Sequence, residues 1–406
     1  MRGRPARLLL VALVLVLVGV GCGGGPDEPA AVRFTAVDLP AGAAPVVLSA
    51  AGDALLIGVR RDGQPVVPGL LRLRPVGDTP HPGPVGDTPH PGPVGDTPHP
   101  GSDGAVTEVA VHGASPYGVL ATWRSIASDG DRMVAIGGER GGAHGHVRWS
   151  VWTGSAAGIT EQVQGFSTFG GYEAGDLVDA VLTPVGPALI GSWASAKVGF
   201  DVAVWTADGE TWTRQSSAGT ALESDADTLG FPTAAAALQQ GMLVAGWQLA
   251  LDAGGRQQPV VWRSSSGNTG WATSRLPEAG KAGAAVAVRC WGSVCGVAGR
   301  VDGQLAVWRL ADGGWVRLAG APPIAVGDTD PLAAPIEIDG KLTQLVSDRG
   351  QVKIARAGGD KWTVRAAAGP TGTVTAATKV GDTIYLLAGP DENTQTLWRA
   401  DLASIR

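Results

Sequence analysis

Apolar positions along this chain come in runs of four to six residues punctuated by turn residues, and no stretch after the first twenty-two repeats them at helical spacing. One run recurs with a small residue at its end: Ala54 to Gly58 (ALLIG), Met133 to Gly137 (MVAIG), Pro187 to Gly191 (PALIG), Met242 to Gly246 (MLVAG), Cys295 to Gly299 (CGVAG), Leu342 to Ser347 (LTQLVS) and Tyr385 to Gly389 (YLLAG). A second run with an aromatic follows most of them, carrying Trp152, Trp205, Trp262, Trp308 and Trp398, while Leu71 and Ala355 stand where tryptophan is missing. Tight-turn pairs precede the markers, among them Gly52-Asp53, Gly130-Asp131, Gln240-Gly241, Asp339-Gly340 and Gly381-Asp382, as hairpins need.

Intervals between markers are 79, 54, 55, 53, 48 and 42 residues. The first contains PVGDTPHPG three times, Pro75 to Gly101; without those 27 residues it is 52. A short strand before each turn and another after the tryptophan give four strands per unit, the size of a propeller blade. The chain is therefore expected to be all-β, a seven-bladed β-propeller of four-stranded antiparallel blades. The seventh unit has room for three strands, so Val32 to Thr35 near the N-terminus is expected to complete it and leave no open edge. The tryptophans are expected to bury their flat rings between blades.

Composition supports a folded chain: 406 residues, 44% hydrophobic, with 62 glycines and 28 prolines. The net charge of −6 becomes −9 if a leader carrying Arg2, Arg4 and Arg7 is removed, which argues against a nucleic-acid partner. Those arginines, the apolar run Leu8 to Val20 and the small residues after it have the layout of an export signal, 1–21. As a helix that run spans only about 20 Å, short of a bilayer core. Val20-Gly21-Cys22 resembles the bacterial lipoprotein lipobox, which implies lipidation at Cys22 and anchoring at the outer face of the cytoplasmic membrane. Residues 22–31 then read as a flexible tether and 32–406 as the propeller, with 75–101 a Pro-rich insertion in the first blade.

Cys290 and Cys295 flank the turn Trp291 to Val294 and are expected to form a disulfide in an oxidising compartment. His81, His90 and His99 lie in the nonapeptides, and His144 and His146 form an isolated HxH pair. Neither set has the ligand count of a metal site, so no metal or cofactor is expected.

Thr206 to Trp212 (TADGETW) resembles the Asp box of sialidase-like propellers, a turn between the two outer strands of a blade, and Ser264 to Trp271, Asp312 to Trp315 and Asp360 to Trp362 are weaker versions. The resemblance implies the fold and not the activity. Sialidases also need an arginine trio, a tyrosine–glutamate nucleophile pair and an aspartate acid, and Tyr117, Tyr172 and Tyr385 lack a recognisable catalytic setting. No nucleophile elbow, metalloprotease pair or phosphate loop is present.

In propellers the second-to-third strand loops and the crossovers between blades form the binding face. Here they offer Phe169, Tyr172, Trp193 and Trp247 as candidate stacking platforms, and Glu223, Asp225 and Asp227 as a candidate cation cluster. The expected function is a monomeric, non-catalytic binding or scaffold propeller for a protein or glycan. The second reading is a sialidase-like glycoside hydrolase.

Overall fold

A computed structural model describes residues 30–75, 104–141, 145–311, 314–359 and 361–406. Cys22 and the rest of the expected signal and tether up to residue 29, the nonapeptides from Val76 with their three histidines, and His144, Asp312 and Asp360 lie outside the described residues.

The regular structure of the described chain is strand apart from one four-residue helix, Phe166–Phe169, and two short 3-10 turns. Four-stranded antiparallel meanders follow one another over 174–214, 228–275 and 283–317, each ordered as in sequence. Residues 43–112 and 122–161 form two more such meanders, joined into one eight-stranded sheet because Ala105–His112 and Gly158–Glu161 pair in parallel. Near the C-terminus, 336–371 and 373–401 form the last two sheets.

Both of these sheets recruit the N-terminus. Thr35–Ala36 pairs antiparallel with Thr396–Asp401 and adds the fourth strand to the final sheet. Val32–Arg33 instead pairs in parallel with Lys361–Thr371 of the sheet before it. The segment read as one closing strand is thus split across two neighbouring sheets, with Phe34 buried at the switch.

The hydrophobic core lies between the meanders. One cluster joins Leu56 and Leu70 of 43–112 to Trp123, Ile126 and Trp152 of 122–161. Another joins Val134 and Ile136 to Leu189 and Trp205, and others continue the pattern along the chain. Leu55, Ile57 and Leu71 of the first meander pack against Val380, Tyr385 and Leu387 of the last, so the stack returns to its start. A sheet stacked face to face with neighbours on both sides, around a cavity lined by the first strand of every meander, is a β-propeller.

The glycine repeat has a structural cause. In most meanders the marker faces a β-bulge on the first strand: Gly246 pairs with Pro232, and the register slips before Ala234; Gly299 pairs with Ala285, and it slips before Ala287. The bulge pushes first-strand backbone towards the marker, and in three meanders the third-strand tryptophan, Trp152, Trp262 or Trp308, lies over the same position. A Cβ on Gly246 would collide with the Phe231 carbonyl oxygen and come within 2.9 Å of Trp262 Cζ3. On Gly299 it would collide with the Ala284 carbonyl and come within 3.0 Å of Trp308 Cζ3. Trp205 and Trp308 also donate their indole N–H groups to Thr168 O (2.9 Å) and Pro277 O (2.8 Å) in the crossovers that lead into their own meanders.

The first-to-second strand turns follow the sequence expectation at Asp339-Gly340, where both residues have positive φ, 51° and 73°. Cys290 and Cys295 face each other across such a hairpin and form a disulfide. The C-terminal end of Val67–Arg74 and the start of Ala105–His112 pair directly, Arg74 with Ala105, so the nonapeptides leave and re-enter at one hairpin end.

Gly246→Ala should lower unfolding free energy by about 1–3 kcal/mol, the range for overpacking a filled site. Gly165→Ala, where a Cβ meets nothing within 4 Å, should be close to neutral. Urea titration of the two variants checks this; equal effects would remove the steric explanation of the repeat.

Candidate functional site

The first strands of all the meanders enclose an axial cavity of about 650 Å³. Two charged side chains tie its wall together. Asp179 sits inside the apolar run Leu177 to Leu182, where its carboxylate accepts from Ser125 Oγ, from Ala180 N (3.0 Å) and from Ala235 N (2.8 Å). Those groups belong to three consecutive meanders, so one carboxylate clips three inner strands together. Burial raises its pKa above the ordinary 3.8, outweighing the hydrogen bonds that favour the anion.

Arg289 occupies the other side. Its Nη2 donates to Ala377 O (2.8 Å) and its Nη1 to Pro335 O (3.4 Å). Ile336–Ile338 is only three residues long, and Arg289 reaches past this short inner strand to the next meander. Burial pulls its pKa down from 12.5 to about 10, which leaves it charged at neutral pH.

The cavity opens at one end into a mouth of about 810 Å³, built from the ends of the inner strands and their neighbours, with the crossover 328–332 and Glu392 at its edge. Its floor carries an aromatic pair. Phe231 and Trp247 face each other in register and stack with centroids 3.9 Å apart and planes 10° from parallel. Arg124 borders both the cavity and the mouth. Arg300 is held by Asp328 at 3.0 Å, and Asp330 accepts from Gly327 N at 2.7 Å. Asp176, Gln257 and Glu392 complete a polar rim.

Of the residues expected at the ligand face, Trp247 lines the mouth. Phe169 and Trp193 are each 7% exposed and pack on Trp205 with centroids 6.1 and 6.0 Å away, inside the core between meanders. Trp193 also donates to Glu173 (3.1 Å) and lies under the Arg214 guanidinium. Trp193 is spent on packing, while Phe169 also lines a groove beside Tyr117 and Phe166. Tyr172 is 94% exposed on a crossover. Glu223 is bound by Lys197 (2.9 Å) and Gly219 N (2.9 Å), and these bonds lower its pKa. Asp225 caps its own turn by accepting from Asp227 N and Thr228 N, which lowers its pKa too. These acids serve local turns, and among the described residues no group of three or more potential ligands is placed to hold a metal.

Phe231, Arg124, Asp179 and Arg289 were not singled out from the sequence. Signals existed: Asp179 and Arg289 each interrupt an apolar strand, and Phe231 falls opposite Trp247 once the hairpin is drawn.

No family model matches the chain, and no curated protein does. Solved structures do. A sialidase from Trypanosoma rangeli in complex with the inhibitor DANA is 13% identical with a TM-score of 0.43, over 76% of this chain and 58% of that one. This chain therefore spans less than two thirds of that sialidase. The β-propeller domain of the Trilobed protease from Pyrococcus furiosus is 9% identical with a TM-score of 0.47, over 90% of this chain and 97% of that one. A chain from a structural and mechanistic analysis of two prolyl endopeptidases is 11% identical with a TM-score of 0.50, over 90% of this chain and 49% of that one. At such identities the likeness concerns the fold alone. Two of the four turns that resemble Asp boxes lie between third and fourth strands: Asp208 to Thr211 joins Phe200–Asp208 to Thr211–Arg214, and Ser264 to Trp271 joins Arg256–Arg263 to Ala272–Arg275.

Because the folded-state pKa of Asp179 is raised, its contribution to stability is fully present below the unfolded pKa and is lost as pH rises through the folded value. The Tm of the native chain minus that of Asp179→Asn should therefore grow as the pH falls from 7 towards the ordinary carboxyl value of 3.8. Thermal melts across that range check it; a constant difference would contradict the assignment.

Proposed function

We propose that the chain is a non-catalytic binding propeller of seven blades that takes a glycan or a protein segment at its mouth. The observation that carries this reading is the stacked Phe231–Trp247 pair in an open hollow with Arg124, Gln257 and Arg300 around it. Flat apolar faces beside a few convergent polar groups suit sugar rings and extended peptides. The count of seven is supported by treating the two halves of the eight-stranded sheet as separate blades. Its place, on this reading, is the outer face of the cytoplasmic membrane, where the chain is monomeric and held by a lipid on Cys22 through the tether 22–31. The lipobox-like Val20-Gly21-Cys22 and the disulfide both fit an exported protein.

The hydrolase reading has less support. Tyr385 is fully buried between the last and first meanders, Tyr172 stands on an exposed crossover and Tyr117 lines a separate groove, so none of the three tyrosines borders the mouth. Arg300 and Asp328 already pair with each other.

Trp247→Ala should weaken binding of envelope glycans or peptides captured by the native chain by about tenfold, roughly 1.4 kcal/mol, with Tm changed little. Retained affinity, or turnover of fluorogenic glycosides by the native chain, would overturn the reading. Cys22→Ala should release the protein from membranes on fractionation; unchanged association would remove the anchor.

A further inference from the structure

A second hollow lies away from the axis. The crossovers on either side of meander 122–161 enclose a groove of about 530 Å³ lined by Tyr117, Arg148, Trp149, Phe166 and Phe169. Its size suits a small ligand or the end of a chain, and aromatic walls with a few polar groups are the usual make-up of such sites.

Both walls are fixed by hydrogen bonds. On one side Glu161 accepts from Ala114 N and Ser115 N, both at 2.7 Å, and from Ser115 Oγ at 2.6 Å, which holds the crossover carrying Tyr117. On the other, Gln164 Nε2 donates to Glu210 O (2.7 Å) and Gln164 Oε1 accepts from Trp212 N (3.1 Å), while Thr168 O accepts from Trp205 (2.9 Å). These bonds pin the turn Phe166–Phe169 to the next meander, so the Phe166 ring is carried on a fixed backbone although it is 60% exposed. Walls set before a ligand arrives lose little entropy when it binds.

Arg148 gives the groove its charge. It is half-buried, and its guanidinium lies 4.5 Å from the Phe166 ring centroid. Glu139 stands opposite it in register, yet among the described residues no ion pair or hydrogen bond joins Arg148 to any acid. The Glu161 carboxylate is already taken by its three donors. A guanidinium stacked on a ring keeps its N–H edges free, and that planar fork matches a carboxylate. The Tyr117 hydroxyl and the Trp149 indole N–H also have no hydrogen-bond partner among the described residues and line the same groove. An unspent cation among aromatic rings and satisfied acids complements an anionic ligand with a flat apolar body.

We infer that the groove binds a carboxylate carried beside an aromatic ring, with the carboxylate on Arg148 and the ring against Tyr117 and Trp149. A free aromatic acid and the C-terminal aromatic residue of a polypeptide share this chemistry. The site is separate from the mouth, and the inference does not rest on any ligand there.

N-acetyl-tryptophan and N-acetyl-tryptophanamide, titrated calorimetrically into the full-length chain, test it. The acid should bind about tenfold more tightly than the amide, the effect of one charge-assisted contact. Arg148→Met should erase that preference, and Phe166→Ala should weaken the acid by roughly fivefold, with Tm unmoved in both variants. Trp247→Ala should leave both affinities unchanged. Equal affinities in the native chain, or no saturable binding of the acid, would overturn the inference, as would a preference that survives Arg148→Met or is lost with Trp247→Ala. Tighter binding of a pentapeptide ending in tryptophan with a free carboxylate would support the site as one for polypeptide C-termini; tighter binding of N-acetyl-tryptophan would support it as one for free aromatic acids.

Discussion

The packing of an indole over a glycine that faces a bulge is the contact on which the rest of this molecule depends. A bulge in the first strand brings backbone close to the second, so only a residue without a side chain fits opposite it. The absent side chain leaves a shallow seat for the ring edge of the third-strand tryptophan, whose other face packs on the neighbouring sheet. Trp152 shows the arrangement: its ring edge lies over Gly137, it meets Trp123 edge-on with centroids 4.8 Å apart, and it packs with Leu56 and Leu70 of the preceding meander. The sheets that carry Gly137, Gly246 and Gly299 are thus shaped by their own glycine and held by a neighbour. Repetition of that contact turns a string of small sheets into a ring.

That same contact explains how much could be read from the chain. Glycine markers and third-strand tryptophans are spaced by the meander, so their recurrence carried the all-β propeller architecture and the hairpins, while the disulfide was legible from Cys290 and Cys295 flanking one turn. The site was less legible because residue type does not distinguish a wedge from a platform. Trp193 and Trp247 both follow a marker glycine by one or two positions, yet Trp193 is sealed against Trp205 while Trp247 lies in the mouth on Phe231. What separates them is parity: Trp193 stands two residues after its glycine and Trp247 one, so they leave opposite faces of their strands. The acidic trio misled for a similar reason: Asp225 and Glu223 satisfy turn N–H groups and Lys197, a local use that mimics a ligand cluster in sequence.

The axis and its mouth divide two kinds of work. Within the cavity, Asp179 and Arg289 spend their charges on backbone groups of neighbouring inner strands, and such buried, hydrogen-bonded ions fix a wall more than they attract a guest. The mouth has fewer bonds of that kind, with Arg124 on its border and an aromatic floor between polar rims. Stability at the axis and adaptability at the rim are the division expected of a scaffold whose loops carry recognition.

A double-mutant cycle between Gly137 and Trp152 tests the central contact most directly. A Cβ at Gly137 would meet Trp152 Cζ3 and the Thr122 carbonyl, each at 3.0 Å, so trimming the ring with Trp152→Phe should relieve part of the strain of Gly137→Ala. A coupling of about 0.5–3 kcal/mol by denaturant unfolding is the result this account predicts, against none when Gly137→Ala is combined with Trp308→Phe in a distant sheet. Strict additivity in both pairs would contradict it.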